Sequence, residues 1–535
     1  MPTVVEFLAE TFERLGTPFI VGHPGGESVE LMDACRRRGM RFILMKQETA
    51  GAMLASTWGE LTGSPGVCLS TRGPGASNMV NGIAHAFLDR CPLIAITDAY
   101  SADVQETGLR QRLDHRQLYM PITKWSFTLQ ASVADQQLRR AALTATSGVP
   151  GPVHVDLPQS ETTKPVGNVS AAPFLPDRLA DGFAEEGLSE TMRILGQSRK
   201  PILLVGMGVL WSRAAGELVA FAERLGAPVL TTTKAKGVIP EDHALSAGCI
   251  IGGLIERDLV NQSDLIVCVG LDAVELQPKP WPFSQPVLSI STTAATDGVV
   301  PASWSLVCDT RHALSALTSA LSTGTGWGLK AAHAFRKAVS AALDRPTVGL
   351  SPQRAIEVAR NTLPRDTIVT CDAGASRLLI VQKWRSFEPR GFLTSNGLAS
   401  MGYAVPGALA ARLAHPDRPV VAFTGDGGFL MAVAEIQTSV KEKLPITVII
   451  LDDGEIGLIR VKQEIKQVER YGIALGGIDW EKLAQGFGAD GVVVDNEAAL
   501  ESAIKASTRS TRTTLIAIKI DSSGYVDQFN ALREL

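Results

Sequence analysis

Two aspartates follow two successive apolar runs in a spacing that suits a divalent cation. Asp426 ends the first run in VVAFTGDGGF, and Asp453 ends the second in ITVIILDDGEIG. The apolar positions between them fall on one predicted helix face: Phe429, Val433, Ile436 and Val440. A strand–helix–strand unit of this kind has parallel strands, so both aspartates should emerge at one sheet edge. Adjacent strands lie about 4.8 Å apart, and two carboxylates that close favour a cation such as Mg²⁺ between them.

Glycines surround the first of these aspartates. Gly425, Gly427 and Gly428 would let the main chain approach phosphate oxygens, and a helix beginning there offers free N–H groups. The alternative is a pair of turn and N-cap aspartates, since such residues are common at turns. The second carboxylate lies 27 positions later, after a complete strand–helix–strand unit, which favours a cation site.

Short apolar strands alternate with amphipathic segments of helix length along the chain. This alternation predicts α/β architecture with parallel sheets, and 535 residues exceed what one core usually supports. The strands fall into three blocks, which predict three parallel-sheet α/β domains at residues 1–165, 185–325 and 350–535. The first and third blocks show a faint similarity that suggests related structures.

The composition argues against nucleic-acid and membrane partners. The formal charge is −4, no basic run stands out, and the apolar runs are about six residues long, too short to span a bilayer. The N-terminus lacks the basic start and apolar block of a signal peptide. The seven cysteines contain no CxxC pair, which predicts buried, reduced thiols in a cytoplasmic protein.

The stretch GDGGFLMAVAEIQTSVKEKLPITVIILDDGEIG resembles the diphosphate and Mg²⁺ motif of thiamine diphosphate-dependent enzymes. In that family GDG is followed by Asn-Asn or Asn-Asp. The Asp452-Asp453 pair found here resembles the catabolic, FAD-independent acetolactate synthases. The resemblance implies that the side chains of Asp426 and Asp453 and the backbone carbonyl of Glu455 bind Mg²⁺.

This resemblance covers nearly the whole chain. It implies a pyrimidine-binding domain, a central Rossmann-like domain and a diphosphate-binding domain, in that order. Members of the family hold the cofactor between the first domain of one subunit and the third domain of another. The resemblance therefore implies a homodimer at least, and a homotetramer as the usual assembly.

The resemblance also implies a glutamate that hydrogen-bonds the aminopyrimidine ring of the cofactor and promotes loss of the thiazolium C2 proton. Glu48 in RFILMKQETAGAMLA takes that position, with Gln47 in place of the family's histidine. The alternative is an ordinary first-turn glutamate favoured by the helix dipole. Gln111 in RQRLDHRQLYMPITKW matches the substrate-side glutamine of acetolactate synthases.

Further residues match cofactor-binding positions of the family. Met401 in SNGLASMGY would wedge between the two rings of the cofactor, although it could also be core filler. The carbonyl of Ala399 would accept from the cofactor's amino group. Arg377 in DAGASRLL replaces a histidine and could equally be a solvated surface charge. The remaining cofactor-binding predictions are Ser376, Gly425, Gly427, Gly428, Gly457 and Leu458.

The substrate is less determined by these matches. The loops GHPGGES and STRGPGASN and the stretch GLIRVKQE supply weaker substrate-side candidates: His23, Gly25, Gly26, Thr71 and Lys462. The stretch GLDAVELQPKPW lacks the arginine that, near Asp272, holds the acceptor's carboxylate in the biosynthetic, FAD-containing enzymes. FAD is therefore disfavoured but left open, and the glycine pair in Val205–Val209 is only weak support for a nucleotide.

Together these matches imply an enzyme that uses thiamine diphosphate and Mg²⁺. It would decarboxylate a pyruvate-like 2-oxo acid and ligate the remaining fragment to a second carbonyl, as a transferase or lyase acting on small molecules. The alternative within the family is a non-ligating 2-oxo acid decarboxylase or aldehyde lyase. A third hypothesis is a non-catalytic binding protein on the same scaffold, against which the intact Glu48, Asp426 and Asp453 argue.

Overall fold

The computed structural model describes residues 1–105, 107–172, 174, 185–252, 254–294, 298–322, 324 and 326–533. Within these residues the strands form three six-stranded sheets, and every strand pairing is parallel. The prediction of three parallel-sheet α/β domains is confirmed. The sheets lie within the three predicted ranges, whose limits stay predictions; the limit at residue 325 lies outside the described residues.

The first sheet has the strand order β2-β1-β3-β4-β6-β5. Its strands are β1 Phe19–His23, β2 Arg41–Leu44, β3 Gly66–Ser70, β4 Leu93–Ala99, β5 Trp125–Thr128 and β6 Pro152–Pro158. Its helices are α1 Val4–Arg14, α2 Val29–Arg37, α3 Glu48–Thr62, α4 Pro74–Leu88, α5 Ala102–Gln105, α6 His115–Tyr119, α7 Ala134–Thr146 and α8 Gln159–Thr162. Three 3₁₀ turns complete it, at Gly26–Ser28, Met120–Ile122 and Ala131–Val133.

The central sheet has the order β12-β11-β10-β7-β8-β9, which is the Rossmann order 3-2-1-4-5-6 seen from the other side. Its strands are β7 Pro201–Val205, β8 Val229–Thr231, β9 Ser246–Cys249, β10 Leu265–Val269, β11 Val287–Ser291 and β12 Trp304–Val307. The helices are α9 Glu185–Gln197, α10 Gly208–Trp211, α11 Ala215–Leu225, α12 Leu254–Val260, α13 Thr310–Ala320 and α14 Trp327–Leu343, with a 3₁₀ turn at Ala273–Glu275.

The third sheet has the order β14-β13-β15-β16-β18-β17, the same topology as the first sheet. The suggested relation between the first and third blocks is therefore visible in their strand order. The strands are β13 Ile368–Cys371, β14 Phe392–Thr394, β15 Val420–Gly425, β16 Thr447–Asp452, β17 Asp490–Val494 and β18 Thr514–Lys519. The helices are α15 Pro352–Thr362, α16 Ala375–Lys383, α17 Ala404–Ala414, α18 Asp426–Ala432, α19 Glu435–Glu442, α20 Gly457–Ile465, α21 Trp480–Phe487, α22 Glu497–Ser507 and α23 Tyr525–Leu532.

One helix predicted between the two aspartates is in fact two, α18 and α19. The chain turns at Val433 and Ala434 before α19 begins at Glu435. The buried Glu435 carboxylate accepts hydrogen bonds from the backbone N–H groups of Lys46 and Gln47 in the first domain, at 3.0 and 3.1 Å. The break thus lets α19 hold the segment that leads into α3.

The first and third domains share one hydrophobic core, in which α3 and α17 face each other. Polar contacts cross the same boundary: the Thr57 hydroxyl lies 3.1 Å from the Tyr403 hydroxyl, and Asp89 accepts from the Asn396 N–H at 2.9 Å. The loop after β14 is therefore fixed against α4.

The seven cysteines, all in the described part of the chain, are buried free thiols, as expected from their spacing. None of the described helices combines the length and apolar character needed to span a membrane.

Candidate active site

Strands β15 and β16 place the two aspartates at one sheet edge. They pair in register through Gly425 and Leu451, so Asp426 and Asp453 follow just beyond the ends of neighbouring strands. Asp426 is buried, and its carboxylate accepts from the N–H groups of Gly427 and Gly454, both at 2.8 Å. The second contact ties the first aspartate to the turn that follows the other one.

The electrostatics of this pair favour a cation. Burial, and the negative charge of Asp453, raise the pKa of Asp426 to about 7. Burial raises the pKa of Asp453 to about 6, against the opposing effect of Arg460. A divalent ion between the carboxylates would stabilise both charges.

The neighbouring Asp452 is engaged elsewhere. Its carboxylate accepts from the indole N–H of Trp480 at 2.8 Å, so Asp452 is not directed to the proposed cation. The turn carrying Glu455 is pinned because Ile456 N–H donates to the Ile473 carbonyl at 2.9 Å. Gly457 is required beside it, since a Cβ there would lie 2.8 Å from Asp453 Oδ2.

No cluster of three or more His, Cys, Asp or Glu side chains suited to a metal occurs in the residues that the structure covers. The donor set at this edge is two carboxylates and the Glu455 turn. That set fits Mg²⁺, which is commonly held by one or two carboxylates together with waters and phosphate oxygens.

The glycines beside Asp426 leave room for such phosphate oxygens. A Cβ at Gly425 would come no closer than 4.0 Å to Leu451 O. Gly428, in contrast, is packed, because a Cβ there would lie 2.5 Å from Asp372 Oδ2. Asp372 in turn accepts from the Tyr403 N–H and the Thr424 hydroxyl, both at 2.9 Å, which fixes the start of α17. Of the predicted cofactor residues around β15, Gly425 therefore forms an open surface, and Gly428 packs against Asp372 behind that surface.

The loop between β14 and α17 lies against this surface. Ala399 adopts φ 54°, a left-handed conformation that costs a non-glycine residue about 1–2 kcal/mol. Met401 is half-buried, and its Cε would lie 3.6 Å from a Cβ on Gly427. Such strain in a non-glycine residue is often found at functional sites.

Ser376 and Arg377 occupy the first turn of α16. Ser376 is buried, and Arg377 is half-buried with its guanidinium donating to Asn396 Oδ1 at 2.7 Å. Arg377 is therefore not the solvated surface charge of the alternative interpretation. Leu458 packs against the core from α20, beside Gly457.

Glu48 begins α3 and is 8% exposed. Its Oε2 accepts from the Asn78 amide at 3.2 Å, and a Cβ on Gly75 would lie 3.2 Å from its Oε1. Its position in the first turn agrees with the helix-dipole alternative, but its burial is more than that alternative requires. These contacts belong to the first domain, as those of Asp426 belong to the third.

The fold brings only some of the predicted substrate-side residues close to one another. Gly25 lies against Thr71, since a Cβ there would be 2.4 Å from the threonine hydroxyl, whereas Gly26 faces open space. Exposed Gln111, at φ 58°, packs its backbone against Gly73. The exposed ring of His23 hydrogen-bonds the Met45 carbonyl through Nδ1 at 3.0 Å. Lys462 is exposed on α20, far along the chain from these loops.

One buried group behind these loops was not expected from the sequence. His115 Nε2 accepts from the Gly73 N–H at 3.3 Å, so its Nδ1 carries the proton donated to Asp156 at 2.8 Å. The Thr97 hydroxyl donates to the same carboxylate at 2.7 Å. The 41 positions between His115 and Asp156 carry no spacing signal. The group holds the loop that passes beside Glu48.

In the central domain, a side chain of the protein itself occupies the space beside the glycine pair in Val205–Val209. Glu275 accepts from the Met207 N–H at 3.0 and 3.1 Å and from the Thr232 hydroxyl. Burial raises the pKa of Glu275 to about 8. A Cβ on Gly206 would lie 2.4 Å from Glu275 Oε2. A carboxylate thus occupies the turn where a dinucleotide-binding fold receives phosphate, and the glycines there serve packing.

Comparison with known proteins agrees with this geometry. Models of the thiamine pyrophosphate enzyme N-terminal TPP binding, central and C-terminal TPP binding domains match residues 2–118, 188–317 and 372–518. A probable acetolactate synthase large subunit of Methanocaldococcus jannaschii is 30% identical, covering 96% of this chain and 91% of the relative. The acetolactate synthase isozyme 1 large subunit of Escherichia coli is 27% identical, covering 97% and 94%.

Among solved structures, benzoylformate decarboxylase from Polynucleobacter necessarius superposes with a TM-score of 0.87 at 22% identity. The alignment covers 98% of this chain and 99% of the other. At this identity the likeness supports the fold alone.

Proposed function

The chain belongs to the thiamine pyrophosphate enzyme family, and we propose that it is a Mg²⁺-dependent carboligase of the acetolactate synthase type. The family match confirms the resemblance found in the sequence, the enzymatic nature of the chain and its use of thiamine diphosphate. Magnesium, the donor and acceptor, and carboligation itself are our proposal.

The observation that carries the proposal is the pair of aspartates beyond β15 and β16. Asp426, Asp453 and the Glu455 carbonyl would hold Mg²⁺, and the open surface at Gly425 would receive the diphosphate. When bound, thiamine diphosphate supplies a nucleophilic carbon that adds to a substrate carbonyl and takes up the electron pair released with CO₂.

The chain's own residues would orient the cofactor and move one proton. Buried Glu48 would hold the proton exchanged with the aminopyrimidine ring, steadied by the Asn78 amide. The carbonyl of Ala399, whose φ is 54°, would accept from the ring's amino group, and Met401 would pack against the cofactor's rings. Ser376 and Arg377 would contact the diphosphate, together with Gly427, Gly428, Gly457 and Leu458.

The overall reaction consumes one proton. A donor 2-oxo acid loses its carboxylate as CO₂, and its carbonyl carbon forms a new bond to the carbonyl carbon of the acceptor. The acceptor oxygen becomes a hydroxyl, so two 2-oxo acids and a proton give CO₂ and a 2-hydroxy-3-oxo acid. Gln111 and the loops carrying His23, Gly25, Gly26 and Thr71 would face the substrate, and Lys462 is the weakest of these assignments.

The second candidate is a non-ligating 2-oxo acid decarboxylase or aldehyde lyase. The absence from the sequence of an arginine beside Asp272 favours it, because that arginine holds the acceptor in biosynthetic relatives. Asp272 instead receives a two-point ion pair from Arg90 of the first domain, at 2.9 and 3.2 Å.

The proposed assembly is a homodimer at least, and a homotetramer if it follows the usual assembly of the family. Glu48 and the aspartate pair take their polar partners from different domains of the chain, which suits a site completed by a second copy. Exposed apolar side chains lie on both domains: Leu109, Met120, Met431 and Tyr471. The seven free thiols suit a reducing compartment, for which we propose the cytoplasm.

Product analysis tests the proposal. The purified enzyme with thiamine diphosphate and Mg²⁺ is supplied with a panel of 2-oxo acids and aldehydes, and products are identified by mass spectrometry. We expect a 2-hydroxy-3-oxo acid from pyruvate-like substrates. Free aldehyde without any C–C bond formation would support the second candidate instead.

The Glu48→Gln variant tests the catalytic assignment. We expect kcat to fall by roughly 10²- to 10⁴-fold, the usual contribution of a positioned acid–base group, with thiamine diphosphate affinity changed little. The exposed Glu501→Gln is the matched control and should keep full turnover. Unchanged turnover in Glu48→Gln would refute the assignment.

A further inference from the structure

A buried aspartate ends helix α4, against which the loop between β14 and α17 rests. Asp89 directly follows Leu88, the last residue of α4, and its side chain is fully buried. A carboxylate is disfavoured at the C-terminus of a helix, because the helix dipole places negative partial charge there, and burial disfavours its charge further. A carboxylate in this position therefore needs partners that compensate for both effects.

One set of partners belongs to the loop that carries Ala399. Asp89 Oδ1 accepts from the N–H groups of Asn396 and Gly397, at 2.9 and 3.4 Å. Gly397 lies so close to the end of α4 that a Cβ there would be 2.6 Å from the Leu88 carbonyl oxygen. The loop is therefore anchored on the first domain two residues before Ala399, whose φ is 54°.

The other partner comes from the central domain. The buried ammonium group of Lys234 lies 2.6 Å from Glu60 Oε1 and 3.6 Å from Asp89 Oδ1. It also lies 3.5 Å from the carbonyl oxygen of Thr394, the last residue of β14. Burial favours the neutral form of Asp89, but the charges of Lys234 and His85, together with hydrogen bonds to Asp89, outweigh burial and lower the pKa of Asp89 to about 2. Lys234 thus joins the first and third domains from the central domain.

Further side chains of α4 hold the same loop. His85 Nδ1 lies 3.1 Å from the Ser395 hydroxyl oxygen, which accepts from the Ser400 N–H at 3.1 Å. The Asn81 amide donates to the Ser400 hydroxyl oxygen at 3.0 Å. Positions 81, 85 and 89 are four residues apart and therefore lie along one side of the helix. This side of α4 contacts the loop at both ends, at residues 395–397 and at residue 400.

We propose that Asp89, paired with Lys234 of the central domain, is a positioning residue that fixes residues 395–400 and so the carbonyl of Ala399. Only two residues separate the anchored Gly397 and Ser400, so a shift of either anchor moves the Ala399 carbonyl. The inference rests on the proposed contact between that carbonyl and the cofactor's amino group. It gives the central domain a role in the geometry of the cofactor site.

Lys234→Met tests this role, because methionine keeps the length of the side chain and removes its charge. In the cofactor-free protein, amide hydrogen exchange of residues 396–400 should become about 10- to 100-fold faster, the range for losing a hydrogen bond to a charged group. Exchange in β15 and β16 should be unchanged. With cofactor bound, kcat should fall about 10- to 100-fold while the KM for the 2-oxo acid changes little, since a displacement of about 1 Å at a reacting group can have an effect of this size.

Glu60→Gln is the matched control. It removes the other carboxylate that pairs with Lys234, which lies on α3, and leaves the ion pair between Lys234 and Asp89 in place. Its denaturant midpoint should fall, as it does when one partner of a buried ion pair is lost. Exchange of residues 396–400, affinity for thiamine diphosphate and kcat should stay at their wild-type values.

Asp89→Asn gives a second test that does not leave two buried carboxylates without their cation. The asparagine oxygen can still accept from the Asn396 N–H but carries no charge, so exchange of residues 396–400 should be about 3- to 10-fold faster. Wild-type exchange of this segment in both Asp89→Asn and Lys234→Met would overturn the inference. Equal loosening of the segment by Glu60→Gln and Lys234→Met would also overturn it, because the buried charges would then serve only to join the domains.

The exchange measurement separates this inference from the proposed function, because it needs neither cofactor nor substrate. Faster exchange with unchanged kcat and unchanged affinity for thiamine diphosphate would overturn the role of Asp89 in the cofactor site. If wild type forms no C–C product from any 2-oxo acid, carboligation is refuted. The loop would still be expected to loosen in Lys234→Met and not in Glu60→Gln.

Discussion

The third and central domains each place a glycine-rich turn directly after a buried parallel strand, and only one of these turns is open. At Gly425, the last residue of β15, a Cβ would find its nearest neighbour 4.0 Å away. At Gly206, after β7, a Cβ would lie 2.4 Å from Glu275 Oε2 and 2.6 Å from the Gly270 carbonyl. A glycine in such a turn either leaves room for a ligand or allows close packing of the protein's own atoms.

The carboxylates of the two turns differ in the same way. Glu275 receives the backbone N–H groups of Met207 and Asp272 and the Thr232 hydroxyl, so the protein's own donors satisfy its carboxyl group. Asp426 and Asp453 lie side by side, and part of the rise in the pKa of Asp426 comes from the charge of its neighbour. The Glu275 carboxyl group fills the space that a ligand would need at its turn, whereas the adjacent carboxylates of Asp426 and Asp453 favour a bound cation.

Removing one proposed cation ligand should have the largest effect. Asp426→Asn should lower the affinity for Mg²⁺ by more than about 100-fold, exceeding the effect of losing an outer-shell partner. Calorimetric titration with Mg²⁺ in the presence of thiamine diphosphate measures this. Asp452→Asn is the matched control, because Asp452 is bonded to Trp480. Equal losses in both variants would contradict the assignment of ligands.

Substitution of either glycine by alanine distinguishes the open turn at Gly425 from the filled turn at Gly206. Gly206→Ala should lower the free energy of unfolding by about 1–3 kcal/mol, as overpacking does, and leave cofactor affinity unchanged. Gly425→Ala should unfold like wild type but bind thiamine diphosphate about tenfold more weakly, because the methyl group enters the open space. Denaturant unfolding and calorimetry read the two effects. A destabilised Gly425→Ala with normal cofactor binding would reverse the argument.

A further expected effect concerns the pH dependence of stability. The pKa of Glu275 rises from its ordinary value of 4.5 to about 8 in the folded chain, because the carboxyl is buried. A raised carboxyl pKa contributes stability below 4.5 that is lost as pH increases toward 8, with a slope of at most about 1.4 kcal/mol per pH unit. Glu275→Gln should flatten the wild-type dependence across this window in unfolding experiments without cofactor. Identical slopes would place this carboxyl outside the pH response.

The sequence predicted most strands, because parallel strands buried on both faces read as continuous apolar runs. Strands β5 and β9 carry no such apolar run, because their sequences WSFT and SAGC are short and contain small or polar residues. The helix break at Val433 was also missed, since it serves a contact between Glu435 and the backbone of Lys46. That contact joins residues 389 positions apart and leaves no local pattern.

The candidate site shows the same limit. The aspartate pair was predictable because one supersecondary unit spans both residues. Asn78, His115 and Lys234 were not found, because their partners are distant in the chain and only the packing of domains brings them together. The glycine pair of the central domain was a misleading signal for a nucleotide, because the Glu275 carboxyl group fills the space beside it and accepts from the Met207 N–H.

The most direct test of the account is a crystal structure with thiamine diphosphate and Mn²⁺, in which anomalous scattering locates the metal. We expect one strong peak between the carboxylates of Asp426 and Asp453, with diphosphate density over Gly425 and the Glu275 carboxyl still against the Met207 N–H. A metal bound elsewhere, or phosphate density at the Gly206 turn, would contradict it.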